Sequence, residues 1–354
     1  MLAHLRAALW LLVLTLLVCC VLYPLALWAV GKGLFSAQAD GSLIAGEQGQ
    51  VRGSRLLAQP FSDAKYFQPR PSAVNYNGAG SGASNLAASN PKLRGQVAQR
   101  VGLIARYKKD GPRKGAPVGP DVEKWFNTQV KEKKRNPTAE WASANPALAS
   151  DWAGSSDLIK EYILNWAKKR PDILAEWKKA NLDKKDPEAS DAGDLASAFF
   201  ASYTKIHPGT FPGIKEENEN GRPKKVIRPV TEGDEIRSIF FDTWLTEKSI
   251  AEPVDSPERI DPLVDLEQVP ADLVMTSGSG LDPHITQRGA RYQLDAVVEA
   301  RAKETSKPAG EVRKTIERLL EKHSYRPLSG LVGEPLVNVL EVNRAMDAEL
   351  KPAS

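Results

Sequence analysis

The chain has 354 residues, enough for two modest domains and an anchor, and its 42% hydrophobic and 26% charged residues are typical of a globular protein. The formal net charge is +4, and no block of lysine and arginine stands apart from acidic residues, which argues against a nucleic-acid binder. The two cysteines, Cys19 and Cys20, are adjacent within an apolar segment, which excludes a disulfide framework and a thiolate metal site in the polar part of the chain.

The N-terminal segment has the clearest pattern in the chain. No charged residue occurs between positions 7 and 31, where leucine, valine, alanine and tryptophan dominate. About 20 apolar residues are needed for a helix to cross the hydrocarbon core of a bilayer, and the apolar region of a signal peptide is shorter. We therefore expect residues 1–32 to form an uncleaved anchor, with a transmembrane helix that begins at Leu9 and ends at Val30.

Individual side chains within this segment indicate its depth and shape. Trp10 and Trp28 are separated by 18 positions, about 27 Å along a helix, which suits one indole at each membrane interface. Pro24 is expected to kink the helix or loosen it locally. A cleaved signal, or a lipoprotein signal ending at Cys19, is the alternative, but Val18 stands where a lipoprotein site has a small residue.

The charges that flank the segment predict its orientation. His4, Arg6 and the amino terminus precede the apolar run, whereas Lys32 is the one basic residue that follows it before Arg52. The excess of positive charge on the N-terminal side is small. It favours a cytoplasmic N-terminus with the body of the protein outside.

Beyond the anchor, composition divides the chain into three parts. Residues 33–110 are rich in glycine, serine, asparagine and proline, residues 111–265 are rich in lysine and tryptophan with a helical pattern, and residues 266–354 return to a mixed pattern. Turn-forming stretches bound the middle part. We predict a soluble mixed α/β (α+β) domain, formed by the first and third parts and interrupted by a mainly helical insertion.

Local patterns give the predicted elements. Residues 41–44 and 51–57 have the composition of two short strands, and Asn90 followed by Pro91 is a favourable helix start. Four apolar stripes at helical spacing are predicted to face a core rather than a ligand. They are Leu93, Val97, Val101 and Ile104; Ala290, Leu294, Val297 and Val298; Val312, Ile316, Leu319 and Leu320; and Val339, Val342, Met346 and Leu350.

The middle part contains a weak repeat with a period of 36 residues. It aligns the Ala-Glu-Trp sequence ending at Trp141 with the one ending at Trp177, and Asn145 with Asn181. A tryptophan that recurs once per helical unit is usually a packing anchor, and a carbohydrate- or partner-binding surface is the alternative. Lysine runs such as 131–135 are expected to be solvated helix faces, with a role near anionic lipid as the alternative.

Known catalytic motifs are missing from the sequence. It has no G-x-x-x-x-G-K-[ST] phosphate loop, no G-x-S-x-G elbow, no H-E-x-x-H motif, no phosphorylation sequence of P-type pumps and no potassium-filter sequence. The four histidines, His4, His207, His284 and His323, are too scattered for a histidine metal site. We therefore predict no catalytic residues and no metal ligands.

Two polar, glycine-rich loops, residues 75–86 and 276–285, are left unexplained by these patterns. The first precedes the helix at Asn90, and the second precedes a helix near Thr286. Backbone N–H groups at such helix entries can bind an anion or phosphate. Alternatively, glycine permits tight turns at these positions, and serine and asparagine cap them.

Several blocks of sequence resemble the C subunit of the Kdp-type potassium-transporting ATPase. They are residues 59–72 (QPFSDAKYFQPRPS), 81–91 (SGASNLAASNP), 277–285 (SGSGLDPHI) and 331–343 (LVGEPLVNVLEVN). Their order also matches, since an anchor with Tyr23-Pro24 and then Gly41-Ser42-Leu43 precede them. The resemblance covers residues 1–107 and 266–354, whereas the middle part departs from the pattern of a short family member.

The resemblance implies an accessory, non-catalytic subunit of a high-affinity ATP-driven potassium uptake complex in the bacterial inner membrane. It implies assembly with a channel-like potassium-binding subunit and an ATP-hydrolysing P-type subunit, usually with a small fourth peptide. It also implies a role as a catalytic chaperone that raises the ATP affinity of the pump subunit, with ATP as a loosely bound ligand. A single-pass envelope protein with a ligand-binding extracytoplasmic domain is the alternative function.

The resemblance and the glycine-rich loops together mark the candidate site. The candidate nucleotide or partner-interface loop consists of Ser277, Gly278, Ser279, Gly280, Leu281, Asp282, Pro283 and His284. The other candidate interface residues are Tyr66, Phe67, Arg70, Ser81, Gly82, Asn85, Asn338 and Asn343.

Overall fold

The structure is a computed structural model that describes residues 2–46, 49–219, 222–253, 255–331 and 333–351. It divides into two compact units: a terminal unit formed by Met1–Ser84 and Pro270–Ser354, and a central unit formed by Asn85–Val269. The predicted boundaries of the helical part, at residues 111 and 265, lie within the central unit. Val332, which belongs to one of the family-like blocks, lies outside the described residues.

The helices and strands follow one another from the N-terminus. The terminal unit begins with α1 (Leu2–Leu16), a π-helical segment (Leu17–Leu22), α2 (Tyr23–Leu34), α3 (Ser36–Ala39), β1 (Leu43–Ala45) and β2 (Val51–Ser54). The central unit contains α4 (Pro91–Ile104), α5 (Gly119–Lys131), α6 (Pro137–Ala144), α7 (Pro146–Ala153), α8 (Asp157–Lys168), α9 (Pro171–Ala180), α10 (Ala196–Ile206), β3 (Phe211–Glu219), β4 (Arg222–Val230), α11 (Asp234–Thr246) and α12 (Pro262–Asp265). The terminal unit resumes with β5 (His284–Thr286), α13 (Gln287–Thr305), α14 (Ala309–Lys322), β6 (Ser324–Tyr325), β7 (Leu336–Asn338) and α15 (Val339–Glu349).

Within the described ranges, one helix is long and apolar enough to cross a membrane. It is Leu2–Leu34, which joins α1, the π-helical segment and α2, and its mean hydropathy reaches 2.5. The predicted span from Leu9 to Val30 lies inside it. No residue of its most apolar stretch is buried within the chain, so its apolar surface is left for another environment.

The π-helical segment explains how the helix continues through Pro24. A proline has no N–H, and its ring clashes with the carbonyl group four residues earlier. The wider turn before it, in which the Tyr23 N–H donates to the Val18 carbonyl five residues back, makes room for the ring. The predicted local loosening is therefore confirmed, and the helix is not interrupted.

In the terminal unit, a short antiparallel sheet of order β5–β7–β6 packs with α13, α14 and α15. The apolar stripes predicted on these three helices are buried in one core, as predicted. Both β5 and β7 run directly into a helix, with Thr286 and Asn338 as the N-caps of α13 and α15. The junction of β5 with α13 therefore fixes the position of the C-terminal end of the loop that precedes β5.

The β1–β2 hairpin of the same unit confirms the two short strands predicted early in the chain. Its strands are antiparallel, and Leu43 pairs with Ser54. Together with the sheet and helices, it makes the body of this unit a mixed helix and strand structure, in agreement with the predicted fold class.

The central unit consists of helices and one long hairpin, β3–β4, around an aromatic core. Its buried aromatic side chains include Trp125, Phe126, Trp141, Trp152, Trp177, Phe199, Phe200, Phe211, Phe240, Phe241 and Trp244. The predicted repeat has a structural counterpart, because Asn145 Nδ2 donates to the Trp141 carbonyl and Asn181 Nδ2 to the Trp177 carbonyl, each at 3.0 Å. Both indoles are buried, which supports their interpretation as packing anchors.

The stripe predicted on α4 was only partly right. Val101 packs against the central core, but it is only partly buried, and Ile104 is 37% exposed. The closest approach of α4 to α11 is made instead by Gly102, where an added Cβ would lie 2.4 Å from the Arg237 carbonyl oxygen and 2.7 Å from Phe241 Cβ. A glycine contact allows two helices to approach without a wide apolar face.

Candidate functional site

Within the family-like block 59–72, the backbone of Phe67 and Gln68 is fixed by amide side chains. Asn343 Oδ1 accepts a hydrogen bond from the Phe67 N–H at 2.9 Å, and Asn343 Nδ2 donates to the Phe67 carbonyl at 2.9 Å. Gln293 makes the same pair of bonds with the backbone of Gln68, at 2.7 and 3.1 Å. The two amides act as a substitute for a neighbouring strand, so this extended segment has its buried backbone groups satisfied.

A buried arginine also contacts the segment at residues 65–66. Arg301, on α13, is 1% exposed, donates to the Lys65 carbonyl at 3.1 Å and pairs with Asp347 at 2.6 Å. Its guanidinium lies 4.8 Å from the centre of the Tyr66 ring. Burial and the Asp347 carboxylate together raise the pKa of the Tyr66 hydroxyl. Tyr66 and Phe67 are therefore fixed in place by the terminal unit itself.

Hydrogen bonds join the second glycine-rich loop to the first loop and to Ser72, which precedes the first loop. Ser72 Oγ donates to the Gly280 carbonyl at 2.6 Å, and the Gly82 N–H and Ser81 Oγ donate to the Ser279 carbonyl at 2.9 and 3.2 Å. Gly280 has a φ of +68°, and a Cβ there would lie 2.7 Å from the Gly82 carbonyl oxygen. Glycine is thus required at 280 both by conformation and by close contact.

Asp282 and His284 form a compact hydrogen-bonded pair beside this contact. Asp282 Oδ1 accepts from the His284 N–H at 3.0 Å and lies 2.9 Å from His284 Nδ1. Asn338 Nδ2, which can only donate, lies 3.4 Å from His284 Nε2. These partners favour the tautomer with its proton on Nδ1, in which both ring nitrogens are engaged.

The charge of Asp282 is stabilised by its neighbours. Burial opposes ionisation, but the hydrogen bonds from His284 and the charge of Arg70, whose Nη1 lies 3.8 Å from the carboxylate, lower the pKa of Asp282. Arg70 also donates from Nη2 to the Thr276 carbonyl at 3.2 Å. Its buried Nε has no hydrogen-bond partner within the described part of the chain.

The helix entry next to the loop already holds an acidic side chain. Asp272 Oδ2 accepts from the Thr286 N–H at 2.6 Å, and a Cβ on Gly289 would lie 2.5 Å from the same oxygen. An internal carboxylate therefore lies at the N-terminus of α13, where the sequence left an anion site and a capped turn as alternatives. The amides of Gly280, Leu281 and His284 also have partners inside the loop.

The residues predicted from sequence divide into three groups. The loop from Ser277 to His284 meets Arg70, Ser81, Gly82 and Asn338 in one cluster, which we call the loop junction. In the adjacent core, the backbone of Phe67 is hydrogen-bonded to the side-chain amide of Asn343. Ser277, at the start of the loop, is also buried. Asn85 belongs to the central unit.

Sequence reasoning missed Ser72, Gln293 and Arg301. Arg301 follows Leu294, Val297 and Val298 at helical spacing, so a charge on a buried stripe could have indicated its role. Ser72 lies in the family-like block 59–72, which could have indicated a role, whereas Gln293 gave no such signal. In the described residues, no group of three or more His, Cys, Asp or Glu side chains could hold a metal ion.

Comparison with known proteins points to one family. A family model described as "K+-transporting ATPase, c chain" matches residues 5–156 and 245–348, which is most of the chain. The unmatched segment between them is narrower than the predicted insertion at 111–265.

Relatives named "Potassium-transporting ATPase KdpC subunit" are similar over shorter stretches. The one from Methanosphaerula palustris is 46% identical over 110 residues, 31% of this chain and 59% of the relative. The one from Cronobacter sakazakii is 49% identical over 119 residues, 33% of this chain and 62% of the relative. The one from Enterobacter sp. (strain 638) is 50% identical over 103 residues, 28% and 53% of the two chains. The chain therefore spans little more than half the length of these curated relatives.

Proposed function

Because the chain belongs to the family of c chains of K+-transporting ATPases, we propose that it is an accessory, non-catalytic subunit of an ATP-driven potassium uptake complex. The family match across both parts of the terminal unit carries this proposal, since it includes the apolar helix and the loop junction. The junction is consistent with a role in positioning rather than chemistry. Both ring nitrogens of His284 and one oxygen of Asp282 are engaged in contacts within the protein.

The apolar helix supports a membrane location for this subunit. A helix of 33 residues is about 50 Å long, which exceeds the roughly 30 Å of a bilayer hydrocarbon core. We propose that it crosses the inner membrane once, with its N-terminus in the cytoplasm and the body outside. Carbonate extraction and fusion of alkaline phosphatase to the C-terminus test this; release by carbonate, or an inactive fusion, would contradict it.

We propose two main partners: a channel-like potassium-binding subunit and an ATP-hydrolysing P-type subunit. The full chain, tagged and extracted in mild detergent from potassium-starved cells, is expected to co-purify with both. If no P-type subunit is recovered, the proposal is wrong. Asp282→Ala is expected to impair assembly or growth at limiting potassium, whereas unchanged growth would indicate that the loop is merely a turn.

We further propose that the subunit raises the ATP affinity of the pump subunit through protein contacts at the loop junction. The loop does not fit a phosphate well, because Asp282 lies against Arg70 and Asp272 occupies the nearby helix entry. In the purified complex, Asp282→Ala is expected to raise the KM for ATP. Labelling of residues 277–284 by a photoreactive ATP analogue would instead favour direct nucleotide binding at this loop.

A cavity in the central unit favours the second candidate function, a ligand-binding extracytoplasmic domain. It measures about 400 Å³, and its lining includes Trp125, Trp244, Lys124 and Glu247. Deleting residues 111–265 tests its importance for transport. Unchanged potassium uptake would show that this part of the chain is peripheral to the pump.

A further inference from the structure

A shallow groove of about 530 Å³ lies between the β1–β2 hairpin and α15 in the terminal unit. Strand β1 forms one wall, and Arg55, Glu341, Arg344 and His323 supply polar groups. Arg55 pairs with Glu341, and Arg344 Nη2 donates to the Ala45 carbonyl at 3.1 Å. The two arginines outnumber the one carboxylate, so the groove has a net positive charge.

A third arginine, Arg52, does not line the groove but lies next to it, because its side chain approaches Gly46, which follows the lining residue Ala45. Arg52 is exposed, and its Nε would lie 2.9 Å from a Cβ on Gly46. The Arg52 carbonyl accepts a hydrogen bond from Gln59 Nε2 at 2.8 Å, while no side-chain partner of Arg52 occurs in the ranges that the structure describes. Because the residue is exposed, its guanidinium can reach an external anion.

Exposed apolar side chains lie on the same hairpin and just after it. On the hairpin and just beyond it, Leu43 is 54% exposed, Val51 is 60% exposed and Leu56 is 61% exposed. Leu43 lines the groove, whereas Val51 and Leu56 lie on strand β2 and just after it, in the segment that also carries Arg52 and Arg55. The combination is the one found where a protein surface contacts the interface of an anionic membrane.

Short local contacts connect the groove to the end of the apolar helix. Lys32 pairs with Asp40, the Ser42 N–H donates to the Ala37 carbonyl at 2.8 Å, and the Arg55 N–H donates to the Ser42 carbonyl at 3.1 Å. The chain thus folds back near the helix end instead of extending away from it. Leu34 and Phe35, at that end, are exposed as well.

We propose that this groove binds the headgroup of an anionic phospholipid, with Arg52 and Arg344 on the phosphate and Leu43, Val51 and Leu56 against the upper acyl region. The proposal rests on the membrane location proposed above. Charge complementarity and the continuity of the groove with the apolar helix favour a bilayer lipid over a soluble anion.

The test uses the full chain in dodecyl maltoside micelles, titrated with short-chain phosphatidylglycerol or phosphatidylcholine. We expect the glycerol lipid to bind and the choline lipid to bind much more weakly. Replacing Arg52 or Arg344 with glutamine should weaken binding about fivefold each, because a basic residue near an anionic membrane surface contributes about that factor. Arg222→Gln, which removes an exposed arginine from the central unit, is the matched control and should have no effect.

Hydrogen exchange then locates the ligand. Bound phosphatidylglycerol should slow exchange in peptides covering 49–56 and 339–346, and Arg344→Lys should retain most of the binding. Absence of binding, equal binding of the choline lipid, equal binding of inorganic phosphate, or binding unaffected by the two variants would each overturn the proposal. Co-purification of the pump subunits by the Arg52→Gln variant reports separately on the proposed function, so the two failures are distinguishable.

Discussion

At the scale of single residues, the terminal unit relies on polar side chains that satisfy buried backbone. Asn343 and Gln293 each donate and accept one bond with the segment at Phe67 and Gln68, although no strand pairs with that segment. Buried donors and acceptors left without partners cost about 1–3 kcal/mol each. These amide side chains therefore stabilise the fold alongside the apolar core.

Asn343→Ala should lower the free energy of unfolding by about 2–4 kcal/mol, because two backbone groups of Phe67 lose their partners. Thermal unfolding of the full chain in mild detergent, followed by circular dichroism, measures the effect. Asn218→Ala, at the exposed end of β3, is the control and should leave the transition unchanged. A variant at 343 that unfolds like the control would show that solvent replaces the amide.

Asp282 should make stability depend on pH in a defined direction. Its pKa in the folded protein lies below the ordinary value of 3.8, so its contribution is complete above that pH and is lost as the pH falls further. Asp282→Asn can keep the bonds from His284 but has no charge. The variant should therefore show a shallower loss of stability below about pH 4, by at most about 1.4 kcal/mol per pH unit.

The measurement is the midpoint of thermal unfolding between pH 3 and pH 6 for both proteins. Asp110→Asn, an exposed position in the central unit, should leave the pH profile as it is in the natural sequence. Parallel profiles for Asp282→Asn and the natural protein would show that the carboxylate is equally stabilised in the unfolded chain.

At the scale of elements, close contacts through glycine decide how α4 and α11 pack. The space between the helices at Gly102 is smaller than one methyl group, since the Arg237 carbonyl oxygen would lie 2.4 Å from its Cβ. Because this oxygen belongs to the backbone, it cannot move without shifting the whole of α11. The contact therefore restricts which residue can occupy position 102 more strictly than the apolar stripe on α4 restricts its own positions.

Gly102→Ala should destabilise the central unit by about 1–3 kcal/mol through overpacking. Six of the eight tryptophans lie between positions 125 and 244, so tryptophan fluorescence during urea unfolding reports on this unit. Gly310→Ala on α14 is the matched control, because nothing lies within 4 Å of its Cβ, and it should be neutral or slightly stabilising. Equal midpoints for the two variants would contradict the proposed contact.

At the scale of the whole molecule, two cores are built from different parts of the chain. One contains side chains of α13, α14 and α15, and the other contains the aromatic residues of the central unit. Each unit therefore has the apolar burial that a separately cooperative domain requires. Two-state unfolding is an approximation for single domains, and it fails when cores are independent.

Urea unfolding of the full chain should accordingly show two transitions. Tryptophan fluorescence should follow the central unit, while far-ultraviolet circular dichroism should report both units and give a broader or biphasic curve. Gly102→Ala should shift the fluorescence transition alone, and Asn343→Ala should shift the other component. Coincident curves that move together in both variants would indicate one cooperative unit.

The sequence by itself determined the elements whose cause is local. Spacing of apolar residues identified the helical faces of α13 to α15, the length of the uncharged run identified the apolar helix, and Asn90 with Pro91 identified the start of α4. Several blocks of sequence in the right order also identified the family. In each case the signal is periodicity, capping or a continuous motif, all of which can be read along the chain.

Tertiary structure alone decided how the candidate site is arranged. Ser72 and Gly280 are 208 positions apart, and nothing in either local sequence indicates that a serine hydroxyl meets that carbonyl. The same holds for the carboxylate of Asp272 at the entry of α13, where the sequence left an anion site and a capped turn as alternatives. Such contacts depend on the three-dimensional positions of both partners. A hydrogen bond or a close glycine contact between distant residues leaves no characteristic pattern along the sequence.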